Sequence, residues 1–227
     1  AWAIDVEVVH WWTTGGEARS AIELKKMMAE QGIGWKDFAV AGGGGTNAMT
    51  ALRARVLAKN PPTAAQIKGP AIQEWASEDM LTDLDAVARI NKWDAILPPV
   101  IADLMKYRGH YVAVPINIHR VNWLWVNAEA LKKVGAQAPT TWEAFFDTAE
   151  KLKKNGIVAL AHGGQPWQDA TLFESVLLGI GGADFYRQAL VNLDQSALTS
   201  SKMRAVFETL ARIKGYMDKG AAGRDWN

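Results

Sequence analysis

IDVEVVHWWTTGGEARSAIELKKMMAEQGIGWKDFAVA, residues 4–41, reads as strand, turn, helix and strand. Ile4–Trp11 is rich in Val and alternates imperfectly, the pattern of a strand buried on both faces of a parallel sheet. Thr13-Thr14-Gly15-Gly16 is a turn. From Glu17 to Gln31, apolar residues recur at Ala18, Ala21, Ile22, Leu24 and Met28, a helical spacing. Gly32 closes that helix, and Trp35–Ala41 reads as a second strand. Two strands joined through a helix imply a parallel pair with a right-handed crossover.

The pattern continues on the C-terminal side. Four glycines, Gly42–Gly45, precede a helix over Thr46–Lys59, which Asn60-Pro61-Pro62 stops. Thr63–Lys68 reads as a third strand, closed by Gly69-Pro70. Repeated β–α units make an open α/β sheet. Short helices are expected over 72–80 and 84–93, and a third opens at Pro98-Pro99. Tyr107–Pro115 resembles a hairpin around Gly109. Ile116–Val126 has strong β character, and a lobe boundary is placed at Pro115, giving a first lobe 1–115 and a second lobe 116–227. In the second lobe, helices are expected over 128–134 and from Thr140 to Asn155-Gly156, with Thr140 as N-cap and Glu143 completing a capping box. A strand is expected over Val158–Ala161 and a helix from Trp167 to Gly181-Gly182. Thr199-Ser200-Ser201 caps a last helix through Met217, and a polar, glycine-rich tail follows.

Composition narrows the classes. The chain has 227 residues, 49% hydrophobic and 22% charged, with a formal net charge of +1. These are globular values and exclude a disordered chain. Apolar runs such as Val176–Ile180 fall well short of the roughly 20 residues a membrane-spanning helix needs. A balanced charge gives no reason to expect nucleic acid. There is no Cys, which removes disulfides, thiolate catalysis and Cys-based metal sites. The outlier is Trp, with 11 against 6 Phe and 4 Tyr. Such rings either fill a core or act as flat plates for the C–H faces of a sugar.

Position decides between those roles. His10-Trp11-Trp12-Thr13-Thr14-Gly15-Gly16-Glu17 lies where the first strand ends and a helix begins, the edge at which open α/β sheets gather ligands. Two adjacent Trp cannot point the same way, so one faces the crevice. Glu17 suits the first turn of a helix and equally suits accepting hydrogen bonds from hydroxyls. Gln66 and Lys68 end the third strand, beside the first in a doubly wound order, and join the same rim. Gly42–Gly45 lacks both phosphate-loop signatures and reads as a turn bringing backbone close to a partner. In Ile116–Val126, Trp123 and Trp125 share a strand face and are expected in the core, while His119 is close enough to the boundary to reach the crevice. His162-Gly163-Gly164-Gln165-Pro166-Trp167-Gln168-Asp169 repeats the strand-to-helix logic in the second lobe. The four His lack metal-ligand spacing, and no G-x-S-x-G nucleophile is present.

HWWTTGGE, GGGGTNAMTAL, PPTAAQIKGPAIQEW, GHYVAVPINIHRVNWLW and LAHGGQPWQD, in that order, resemble the extracellular solute-binding proteins of bacterial ABC sugar transporters, in particular the glucose/mannose-binding branch. The resemblance runs the whole length of the chain. It implies a type II-like periplasmic-binding-protein clamshell with two three-layer α/β lobes. A hexose, most naturally glucose, would lie in the cleft between them. It implies a periplasmic monomer that docks on the membrane permease of its transporter, with no cofactor, no metal and no catalysis. Carried over by position, Trp11 and Trp12 match the family's tandem Trp at the sugar, Glu17 its hydroxyl-binding carboxylate, and Gln66 and Lys68 its polar pair. Trp167 matches an aromatic platform of the second lobe, and His119 is carried over with them. Family members are longer, so the chain is expected to be an N-terminal portion, stopping before the return crossing into the first lobe.

Two other readings stay open on the residues alone. Trp platforms with Glu17 and Asp169 would suit a glycoside hydrolase, but such enzymes hold two carboxylates about 5–9.5 Å apart, and these two come from different lobes. A Trp-rich interaction module without a ligand is the third reading.

Overall fold

Parallel pairing of the first strands follows from the helix that separates them, and the computed structural model forms it. Residues 4–220 are described; Trp2, Trp226 and the Gly223–Asn227 end lie outside them. Strand β1 (Ile4–His10) leads through helix α1 (Gly15–Glu30) into strand β2 (Ile33–Ala39). β1 pairs with β2 in parallel from Ile4 opposite Ile33 to His10 opposite Ala39. Helix α2 (Thr46–Leu57) follows the glycine turn, and strand β3 (Ala64–Ala65) pairs on the other side of β1, giving the order β2-β1-β3.

The third strand is shorter than Thr63–Lys68. After Ala65 the Gln66 N–H still donates to the Val9 carbonyl at 2.8 Å. The chain then leaves toward Gly69-Pro70, where Pro has no N–H to donate. β1 is central and ends on fully and nearly buried residues, Val8, Val9 and His10. Burial also takes in Ala48 and Leu52 of α2.

Beyond the sheet come α3 (Ala71–Ser77), α4 (Asp85–Ile90), α5 (Trp93–Ile96) and α6 (Pro99–Leu104). The expected helix 84–93 is thus two helices, broken at Lys92, which takes a left-handed backbone with φ 54°. Strands β4 (Lys106–Tyr107) and β5 (His110–Tyr111) form the expected hairpin in a two-residue-per-arm form. It closes a small core of Ala88, Ala102 and Tyr111, with Trp93 meeting the Tyr111 ring edge-on at 5.2 Å.

Contacts divide the chain into two compact units between His119 and Arg120. The strand expected over Ile116–Val126 does not form. An extended segment becomes a strand only with a partner for its ladder, and among the described residues it has none. Its alternation therefore finds no layer to bury against: Trp123 is 59% and Trp125 86% exposed, which overturns their expected place in the core. Arg120 instead covers the Trp123 ring at 4.9 Å.

The second unit is helical among its described residues: α7 (Ala128–Lys133), α8 (Trp142–Lys154), α9 (Pro166–Tyr186), α10 (Gln195–Leu198) and α11 (Ser201–Lys214). The N-cap of α8 is Thr141, not Thr140; its hydroxyl accepts from the Ala144 N–H at 3.1 Å. With the cap one residue later, Glu143 falls at the second helical position and cannot close the expected box. The strand expected over Val158–Ala161 is reduced to one bridge between Leu160 and Met217. α9 passes through Gly182, whose φ of 75° and ψ of 177° break the helix where its end was expected. Val176 and Leu177 from α9 and Val206 and Ile213 from α11 are fully buried, each contributing about 1.5–3 kcal/mol of apolar transfer. Phe146, Ala149 and Leu152 form the buried stripe of α8, and Trp142 and Phe145 pack against the same core. No helix among the described residues is long and apolar enough to cross a membrane.

Candidate functional site

The carboxyl end of β1 is where the first unit concentrates aromatic and charged side chains. Trp11 leaves the strand with its N–H donating to the Gln66 side-chain oxygen at 3.1 Å. Gln66 is thereby a fastening for the tandem as well as a candidate ligand group. The Trp11 ring is half-buried; the Lys68 ammonium lies 5.9 Å from its centre, within cation–π range. The glycine turn also brings Gly45, with φ 82°, against the ring. The turn expected to approach a partner thus approaches Trp11.

Trp12 is buried, 7% exposed. His119 stacks on it with ring centres 6.2 Å apart and planes 16° from parallel. The same imidazole lies 3.9 Å from the Glu17 carboxylate, which sits in the first turn of α1. The imidazole thereby covers one face of Trp12. Desolvation by surrounding protein pushes the Lys68 ammonium below its ordinary pKa, with Glu17 opposing the shift. Trp11, Trp12, Glu17, Gln66, Lys68 and His119 therefore gather in one unit: two indoles, an anion, a cation, an amide and an imidazole. Hydroxyl groups need both donors and acceptors, and this set offers both.

Trp167 belongs to the second unit. It sits in the first turn of α9, where Pro166 opens the helix. Its indole N–H donates to the Gln165 side chain at 2.8 Å, and the Gln168 side chain accepts from the Gln165 N–H at 3.0 Å. Asp169, the second carboxylate of the hydrolase reading, is engaged by His162 at 2.7 Å.

Two residues beside the tandem escaped sequence reasoning: His10, weighed only for metal binding and set aside, and Asp37. His10 is 7% exposed. Its Nδ1 accepts from the Trp12 N–H at 3.3 Å, and its Nε2 faces Asp37 Oδ1 at 3.2 Å. Asp37 also accepts from Trp35 Nε1 and, at 3.0 Å, from Lys25 of α1. Partial burial works against the ionised Asp37, but the donors Lys25, Trp35 and His10 outweigh it and hold its carboxyl below the usual value. The signal was the position of His10 as the last residue of a central strand.

Among the described residues, one triplet brings metal-type ligand atoms within 4.8 Å of one another: Asp83, Asp85 and His110. Its groups already serve the fold. Asp83 accepts from the Asp85 N–H at 2.7 Å, and Asp85 accepts from the Tyr111 N–H at 2.8 Å and pairs with His110 at 2.7 Å.

The sequence profile of the bacterial extracellular solute-binding proteins matches residues 25–227. A probable sugar-binding periplasmic protein of Rhizobium meliloti is 50% identical over 225 residues, covering 99% of this chain and 54% of that protein. The glucose-binding protein GlcS of Saccharolobus solfataricus is 27% identical over 190 residues, 79% of this chain and 34% of that protein. In structure, a sugar transporter from Arthrobacter chlorophenolicus with bound laminaribiose matches with a TM-score of 0.69 at 19% identity, covering 99% of this chain and 56% of that one. The chain spans about half the length of the curated relatives it matches, 54% in the Rhizobium case. Those relatives and fold neighbours are solute-binding proteins rather than enzymes, and the chain belongs to the family of bacterial extracellular solute-binding proteins.

Proposed function

We propose that this chain belongs to the extracytoplasmic receptor of an ABC sugar importer and that its ligand is a hexose, with glucose first. The observation that carries the reading is the gathering of Trp11, Trp12, Glu17, Lys68 and His119 at the carboxyl end of a central parallel strand. Flat indoles suit the C–H faces of a pyranose, and charged groups make the stronger hydrogen bonds to hydroxyls. The names of the relatives support sugar as the class, and GlcS supports glucose within it. Gln66 contributes its amide, and Trp167, in the first turn of α9, is carried over as a sugar-binding aromatic of its own unit. Sugar binding favours whichever conformation gives it more contacts, and that bias is what the membrane permease reads. The receptor acts as a monomer on the outer side of the membrane.

Isothermal titration of the full-length protein with glucose, mannose, galactose and maltose tests this. Heat with glucose, lost by at least about tenfold in affinity in Trp12→Ala, is expected. No heat from any of the four would end the sugar reading.

A further inference from the structure

Beside the tandem lies a buried titratable group that sugar contacts do not use. His10 ends β1 and bridges two partners of opposite demand. On one side is a backbone N–H, that of Trp12, which can only donate; it reaches Nδ1 at 3.3 Å. On the other is a carboxylate, that of Asp37, which can only accept; it lies 3.2 Å from Nε2. A neutral imidazole has one donor and one acceptor nitrogen. Only the form with the proton on Nε2 satisfies both neighbours. Asp37 selects that form, and is itself held by Lys25 of α1 and the indole of Trp35, whose ring also meets His10 edge-on at 6.4 Å.

We infer that His10 is a positioning residue for the sugar-binding tandem: its Nε2-protonated form presents Nδ1 as the acceptor that fixes the backbone, and hence the ring, of Trp12. The inference rests on the sugar reading for its consequence on affinity, though not for the hydrogen-bond arrangement itself. A second proton on the imidazole would turn Nδ1 into a donor facing the Trp12 N–H, and the fastening would be lost. The charged and titratable groups around this network are Asp37 on β2, Lys25 on α1, and His119 with Glu17 on the far side of Trp12.

Two substitutions separate the two nitrogens. Asn places its amide oxygen where His carries Nδ1, and Gln places its amide nitrogen where His carries Nε2. H10N therefore keeps the acceptor for Trp12, and H10Q keeps only the donor to Asp37. In the full-length protein, glucose affinity in H10N is expected within about threefold of wild type. In H10Q, with a buried N–H left without its acceptor, it is expected to fall about tenfold. Equal affinities in H10N and H10Q would overturn the inference, whatever their thermal midpoints.

Two readouts need no sugar. Imidazole nitrogen-15 spectra at about pH 8, where an ordinary imidazole is neutral, should show His10 protonated on Nε2. Exchange of the Trp12 amide should be about tenfold faster in H10Q than in H10N. Protonation on Nδ1, or equal exchange, would overturn the inference even if the wild type binds no sugar. That last result alone would instead remove the sugar reading.

Discussion

The Trp11 ring rests on the backbone of Gly45: a methyl group built on Gly45 would lie 2.8 Å from Cε3 of the indole. At φ 82° the residue is also in the left-handed region, which side chains take up with strain. Gly45→Ala is expected to lower stability by about 1–3 kcal/mol and to shift Trp emission as Trp11 moves. Thermal unfolding and fluorescence check both effects, and sugar affinity should fall with them.

Trp142 is the counterpart case, an indole packed against a core. It lies against the second unit's core beside Phe145, ring centres 5.6 Å apart. Trp142→Ala should lower stability by about 3 kcal/mol through the cavity it leaves. Folded protein should keep its sugar affinity within about twofold, as titration below the unfolding transition will read.

Cap position is testable with two neighbouring threonines. Thr141 satisfies the Ala144 N–H of α8, so Thr141→Ala should lower stability by about 1 kcal/mol. Thr140→Ala should change it by less than about 0.5 kcal/mol. Denaturant midpoints of the two variants give the comparison; a larger loss at position 140 would contradict the structure.

His110 and Asp85 should give the first unit a pH signature. Their hydrogen bond raises the His110 pKa above 6.5 and, with the Tyr111 N–H, holds Asp85 below 3.8. A raised folded-state pKa contributes stability that is full below 6.5 and disappears as pH rises through the folded value. A lowered carboxyl pKa contributes stability that is present above 3.8 and disappears as pH falls through the folded value. The pair therefore contributes most in mild acid, between those two limits. His110→Gln should flatten the decline in denaturant midpoint on the alkaline side of that window. An unchanged decline would assign it to other groups.

Much of the first unit was legible because its elements are set by short-range chemistry. Val-rich β1, the apolar spacing of α1 and the proline stop after α2 are local, and the parallel order β2-β1-β3 follows from them. Trp123 and Trp125 show where local reading ends. Their alternation is that of a strand, yet a ladder depends on a partner distant in sequence, and alternation alone does not say whether one is at hand. Of the candidate site, Trp11, Trp12, Glu17, Gln66 and Lys68 were readable as candidates from residue type and place in the fold. His10 and Asp37 were not, because their pairing is fixed by strand register, His10 opposite Ala39 and Val8 opposite Asp37, rather than by any spacing along the chain.

The tandem is held through its main chain. The Trp11 N–H goes to Gln66, the Trp12 N–H to His10 and the Thr13 N–H to the Trp11 carbonyl. None of these bonds uses an indole. The path of the chain through positions 11–13 is therefore set by main-chain bonds to Gln66, His10 and Trp11, while the rings themselves are set by what packs on them: Gly45 and Lys68 at Trp11, His119 at Trp12.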